Sequence, residues 1–185
     1  PYCEGKRAAQ DRVLSERRLE GLAVNPGITF GGHDLHRNAG RMLLQVAEGG
    51  PPGVPPGSTT AANLDDVVAG HLLALDLGQP GESYVLGGHT PSFLELYAEV
   101  ARVLEMPAPT RIVQPWAMRL FAGWGWLRSE VTGQEAPVMP PLVDLSTANR
   151  RYSSEKATKA LGYAPRALEH GIRQCLEWYR QRGWI

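Results

Sequence analysis

The chain has 185 residues, 43% of them hydrophobic, and its 19 basic and 19 acidic side chains give a formal charge of zero. That length suits one domain with a real core, or part of a larger one, and the charge balance gives no electrostatic reason to expect nucleic acid or an anionic membrane as partner. Cys3 and Cys175, far apart, fit a reduced cytoplasmic protein better than a disulfide framework, and the sequence shows neither a signal peptide nor an apolar run long enough to span a membrane.

The chain starts at Pro1 rather than at a methionine, in what reads as a helix N-terminus, so a truncated chain is expected. A charged helix runs from about Tyr2 to Leu19 and ends by Gly21. "LAVNPGITF" (Leu22 to Phe30) predicts a buried strand that turns at Asn25-Pro26-Gly27. A short helix over Ala39 to Gly50 is stopped by two glycines, and "PPGVPPGSTT" predicts a loop or small hairpin. In "NLDDVVAGHLLALDLG", Asn63 can cap a helix, Asp65 and Asp66 favour its positive end, and Val68, Leu72 and Leu75 form an apolar stripe.

"GESYVLGG" (Gly81 to Gly88) reads as a strand between glycines. The next helix is marked by a Ser92/Glu95 capping box and by the apolar period of Phe93, Tyr97, Val100, Ala101 and Leu104, and Pro107 stops it. "TRIVQP" predicts a short strand, and Trp116 to Leu127 an aromatic stretch, helical in part, interrupted by Gly123 and Gly125. The C-terminal segment is an amphipathic helix with Ile172, Cys175, Leu176 and Tyr179 on one face. Helices alternating with single strands argue for α/β with a parallel sheet.

Two Tyr-x-x-x-Lys pairs stand out in a chain with three lysines: Tyr2 with Lys6, and Tyr152 with Lys156. Chance predicts about 0.1 such pairs for this composition. The second pair is followed by Ser153 and Ser154, both good caps, so its helix starts after Tyr152 and the pair need not share a face. The first lies within a helix that feeds a strand ending in Asn-Pro-Gly, the kind of place where α/β folds hold ligands. A phenol with a pKa of about 10 is a poor base at neutral pH, and a lysine cation one turn away favours the phenolate, making it a usable acid/base for a hydroxyl or carbonyl. The same ammonium can hydrogen-bond a ribose. Gly5 costs helix stability and is easier to explain if something approaches closely there.

The ordered set "PYCEGK", "LAVNPGITFGGHD", "NLDDVVAGHLLAL", "GESYVLGG" and "YSSEKATKALGYAPR" resembles the C-terminal half of an extended short-chain dehydrogenase/reductase. It is similar to dihydroflavonol-4-reductase-like proteins and hopanoid-associated sugar epimerases. The resemblance implies the C-terminal part of a Rossmann-type parallel sheet with a small substrate-binding lobe. The end of the Rossmann core with part of the lobe would occupy about residues 1–90, and about 91–185 would be mainly the substrate lobe and C-terminal helices. It implies NAD or NADP as cofactor, Tyr2 as acid/base, and Lys6 on the nicotinamide ribose. The backbone at Pro26, Gly27 and Ile28 would meet the carboxamide, with Asn25 and His33 on the substrate side.

Two features depart from that family. Gly5 stands where Ser or Thr is frequent, and no Gly-x-Gly-x-x-Gly or Gly-x-x-Gly-x-x-Gly occurs anywhere in the chain. The first expectation is hydride transfer on a carbonyl or alcohol by a protein inactive as this chain alone. The alternatives are a nucleotide-sugar epimerase or dehydratase, and a non-catalytic remnant that binds or supports other molecules. The partners expected are the small-molecule carbonyl, alcohol or nucleotide sugar, with a homodimer as an option, no nucleic acid and no membrane span. His33, Asp34 and His36 lack the further ligands of a metal centre, so a substrate-side loop is the better reading. Cys3 has no His or Cys neighbour and makes a poor nucleophile. "WAMRLFAGWGW" is too short to span a membrane and is bracketed by Arg119 and Arg128, so a core or lobe helix is the default, with an aromatic pocket wall or weak interfacial contact as the lesser reading.

Overall fold

The structure is a computed structural model that describes residues 2–16, 18–132 and 140–185, without the side chains at 2, 126, 127, 129–132 and 140–142. The elements in order are α1 (Tyr2–Ser15), β1 (Ala23–Pro26), β2 (Ile28–Phe30), α2 (Arg41–Ala47), β3 (Ala61–Asn63), α3 (Leu64–Leu77) and β4 (Ser83–Leu86). They continue with α4 (Phe93–Leu104), α5 (Pro115–Thr132), α6 (Pro140–Thr147), α7 (Glu155–Leu161) and α8 (Leu168–Gln181). This is a mixed α/β fold, as the alternation implies, and both strand pairs are parallel.

The turn expected at Asn25-Pro26-Gly27 does not form. The chain stays extended from Ala23 to Phe30 and changes partner instead: β1 pairs with β4, and β2 with β3. Gly27 is the switch point. Its N–H donates to the Leu86 carbonyl at 3.3 Å, while the Ile28 N–H donates to the Thr60 carbonyl at 2.8 Å. A Cβ on Gly27 would overlap the Thr60 carbonyl oxygen, so the close approach of the two segments demands glycine here. The short strand expected at "TRIVQP" is reduced to a single parallel bridge, Val54 with Ile112. The Pro-rich loop before β3 is pegged down by that bridge and by Ser58, which bridges both Ser92 and Asn149.

Two apolar clusters hold these elements. The larger joins Phe30, Leu43, Val46, Leu96 and Val100 to Ile172, Cys175, Leu176 and Tyr179, on the face of α8 that the sequence marks. The smaller joins Val67, Ala74, Tyr84, Leu86, Ala157, Leu161 and Tyr163. The Ser92/Glu95 capping box starts α4 as expected: the Glu95 N–H donates to Ser92 Oγ at 3.2 Å, and the Ser92 N–H donates to Glu95 Oε2 at 2.7 Å.

The stripe assigned to α3 is on the wrong side. Val68, Leu72 and Leu75 are 52–78% exposed, and Asp66, Val67, Gly70 and Ala74 are buried instead. Gly70 decides this, because without a side chain it lets α3 close onto Leu86 and Tyr163, where a Cβ would come within 2.8 Å of the Leu86 side chain. α5 also differs from expectation, running unbroken through Gly123 and Gly125. α6, which packs on it, has no counterpart among the predicted elements. Among the described residues no helix is long and apolar enough to cross a membrane.

Candidate active site

α1 presents Tyr2, Lys6 and Gln10 at successive i, i+4 positions, so one face of the helix carries all three. The Tyr2 side chain itself lies outside the described residues. The face is oriented by Gln10, whose Oε1 accepts a hydrogen bond from Asn25 Nδ2 at 3.0 Å. Asn25 occupies the C-terminal end of β1, one residue before Pro26. The end of the strand and the Tyr2–Lys6 face are therefore tied by one side-chain bond. Gln10 was missed by sequence reasoning, yet its signal is plain: it continues the same four-residue spacing by one more step.

The residues expected to meet a carboxamide lie together at the partner switch. The N–H groups of Gly27 and Ile28 are both spent on the sheet, and the Gly27 carbonyl accepts from Thr29 Oγ1 at 3.1 Å. Gly5 is bordered by open space: a Cβ there would meet no described atom within 4 Å.

His33 is not drawn to this cluster. It follows β2, with φ 65°, and its ring lies 5.9 Å from that of Trp178 on α8, at the rim of a shallow groove with Asp65 and Gln174. Asp34 beside it is a structural tie. Its carboxylate accepts from the Asn38 and Gly40 N–H groups, both at 2.9 Å, and from the Tyr179 hydroxyl at 3.2 Å. Burial and the Asp34 charge both push the Tyr179 phenol well above its ordinary range, so it serves as a fixed donor. Among the described residues no group of three or more His, Cys, Asp or Glu side chains is arranged to hold a metal.

The second Tyr-x-x-x-Lys pair is split by geometry. α7 begins at Glu155, so Tyr152 lies outside the helix and its N–H donates to Thr60 Oγ1 at 2.9 Å. Lys156 turns toward β4, pairing with Glu82 just before that strand and sitting 5.0 Å from the Tyr84 ring centroid. Ser154 holds the cap position without capping; its hydroxyl bridges the Gly87 N–H at 2.9 Å and carbonyl at 3.0 Å.

Asn63 likewise precedes α3 without capping it. It spans to α8, donating to Asp66, Arg166 and Ala167 and accepting from the Gly171 N–H at 2.8 Å. Asp66 is thus more than a helix-end charge. Arg166 Nε donates to it at 2.6 Å and the Arg166 N–H at 2.9 Å. Burial pushes the Asp66 carboxyl up, but the hydrogen bonds from Arg166 and Asn63 and the Arg166 charge together leave it below the usual range.

No family model matches the chain. It is 27% identical over its whole length to sterol demethylase protein B of Methylococcus capsulatus, covering 58% of that protein. It is 29% identical over 96% of its length to the decarboxylating sterol-4-alpha-carboxylate 3-dehydrogenase of Saccharomyces cerevisiae, covering 56% of it. The chain thus spans a little over half the length of the curated relatives it matches. Among solved structures, gox2253 superposes with a TM-score of 0.77 at 30% identity, over 97% of this chain and 55% of that one. The dTDP-glucose 4,6-dehydratase of Streptomyces venezuelae, solved with NAD bound, shares the fold at a TM-score of 0.66 and 17% identity, over 100% of this chain and 52% of that one. The parallel strands, the ordered motifs and these matches agree: the chain resembles the C-terminal part of the extended short-chain dehydrogenases/reductases of the NAD-dependent epimerase/dehydratase group, and it covers just over half of each relative.

Proposed function

We propose that the chain supplies the acid/base half of an NAD(P)-dependent alcohol dehydrogenase or carbonyl reductase whose substrate is a secondary alcohol or ketone of the sterol class. The observation that carries this is the Tyr2–Lys6–Gln10 face of α1 pinned to the end of β1 through Gln10 and Asn25. The sterol class is taken from the two curated relatives, both named for sterol chemistry.

The donor set suits the nicotinamide end of a dinucleotide. Lys6 offers ammonium protons to ribose hydroxyls, and the carbonyls beside Gly27 suit a carboxamide N–H. It does not suit the pyrophosphate end, for which the sequence holds no glycine-rich turn. NAD(P), when bound, accepts or supplies the hydride. In the oxidative direction the Tyr2 phenolate takes the proton of the substrate hydroxyl. Lys6 one turn away stabilises that phenolate, and Asn25 holds the helix face at the strand end. In the reductive direction the phenol returns the proton to the carbonyl oxygen.

The test is steady-state kinetics on the complete protein with 3-hydroxysterols, their 4-carboxy derivatives and nucleotide sugars. Tyr2→Phe is expected to lower kcat about 10²–10⁴-fold, the usual worth of a positioned acid/base. Lys6→Met is expected to raise the pH optimum and weaken the cofactor. Wild-type kcat in Tyr2→Phe would refute the assignment. Epimerisation of a nucleotide sugar without net NAD(P)H would favour the second reading, for which the fold shared with the dTDP-glucose dehydratase is the support.

A further inference from the structure

Thr60 stands just before β3, is 3% exposed, and meets three segments of the chain with three different atoms. Its carbonyl oxygen accepts from the Ile28 N–H at 2.8 Å. Its Oγ1 accepts from the Tyr152 N–H at 2.9 Å. Its methyl packs on Gly87, where a Cβ would overlap it. Pro26 and Leu86 are in register at the ends of β1 and β4, so Gly27 and Gly87 each follow the last paired residue. Thr60 therefore lies at the carboxyl ends of these strands, the end at which parallel α/β sheets hold ligands. The segment leading into α7 crosses the same place. Besides the Tyr152 bond, it is tied by the Arg150 N–H to the Ser58 carbonyl at 3.2 Å and by Ser154 Oγ to Gly87.

We propose that Thr60 is a positioning residue for substrate binding, whose hydroxyl holds residues 150–154 at a fixed spacing from the Pro26–Ile28 backbone. This rests on the reading above, in which that backbone meets the nicotinamide end of the cofactor and the substrate lies beside it. The side chain is specific to the task. Valine would keep the branched shape and lose the acceptor, and serine would keep the acceptor and lose the methyl. Threonine supplies both, and its branched Cβ restricts χ1, so the contact with Gly87 and the bond to Tyr152 are fixed together. The cofactor side is insulated from a change of side chain, because the Ile28 N–H is held by the Thr60 backbone carbonyl.

The test has two readouts. In the 185-residue chain, Thr60→Val is expected to speed amide hydrogen exchange at Tyr152 about tenfold or more and to leave exchange at Ile28 unchanged. In the complete protein, with any alcohol or carbonyl substrate that the assays above turn over, Thr60→Val is expected to raise the substrate KM about five- to tenfold, with kcat and the KM for NAD(P)H within about twofold of the parent. Thr60→Ser is expected to restore the parent KM in spite of a lower Tm. A threonine that served stability alone would lower Tm in both variants and move KM in neither. Ser154→Ala cuts the neighbouring tie and is expected to raise the same KM, so it carries the test if Thr60→Val does not fold. The proposal is overturned by unchanged exchange at Tyr152 in Thr60→Val, by parent KM in Thr60→Val or Ser154→Ala, or by a KM raised equally in the serine and valine variants. The exchange measurement uses neither substrate nor cofactor, and the acid/base reading stands or falls on Tyr2→Phe, so the two failures are separate results.

Discussion

Gln10 is an uncharged side chain that ties the α1 face carrying Tyr2 and Lys6, proposed above to move the proton, to the end of β1. Its bond to Asn25 is solvent-exposed, so it contributes little to stability and acts by orientation. In the complete protein, Gln10→Leu is expected to lower kcat by about tenfold while leaving the melting temperature nearly unchanged, since small misplacements of a reacting group cost rate steeply. Equal kcat in that variant would remove Gln10 from the positioning role. Asp66 is the opposite case, a buried carboxylate whose work is structural. Its folded pKa lies below the ordinary 3.8, so its ionised form favours the fold. That contribution is complete above the ordinary value and disappears as pH falls through the lower folded one. Asp66→Asn is expected to destabilise by about 1–3 kcal/mol at neutral pH. It should also flatten the loss of stability below about pH 4, both read by urea titration across pH. A variant that keeps the parent's acid slope would place the titration elsewhere.

Among the elements, α3 shows how a helix with apolar residues all round can be read two ways. Periodicity finds Val68, Leu72 and Leu75 as readily as it finds Val67, Gly70 and Ala74, and cannot say which row is packed. The glycine carries the answer, because the closest approach to β4 and α7 is possible only where a side chain is missing. Leu72→Gln and Leu75→Gln are therefore expected to change stability by no more than about 0.5 kcal/mol, as for exposed positions in general. A loss of several times that in urea unfolding would return these leucines to a core. α4 and α8 were easier to read, since each has a single strong apolar face against a polar one, and the packed side follows.

For the whole molecule, the two halves of a dinucleotide site are separable. The described strand end and α1 suit the nicotinamide ribose and carboxamide, whereas a pyrophosphate needs a turn of backbone N–H groups at a helix start, and no glycine-rich motif in this sequence supplies one. Titration calorimetry of the 185-residue chain with NADH and NADPH is expected to show no micromolar binding. Micromolar affinity would mean that another part of this chain cradles phosphate.

Local chemistry settled what the sequence alone could settle. The α1, α2, α3, α4 and α8 helices, the β4 strand, the Ser92/Glu95 cap, the apolar face of α8 and the Tyr2–Lys6 spacing are legible in patterns a few residues long, whereas β3 and α6 are not. The split of Tyr152 from Lys156 was also legible, because Ser153 and Ser154 mark a helix start after the tyrosine. Tertiary structure decided everything that depends on partners far along the chain. Gly27 became a switch between two strands rather than a turn because Leu86 and Thr60, remote in sequence, take the hydrogen bonds on either side of it. Asn63 and Ser154 left their caps for Gly171 and Gly87, more than sixty residues away in each case. Side-chain amides and hydroxyls satisfy whichever backbone group packing brings nearest, and spacing along the chain does not record that distance.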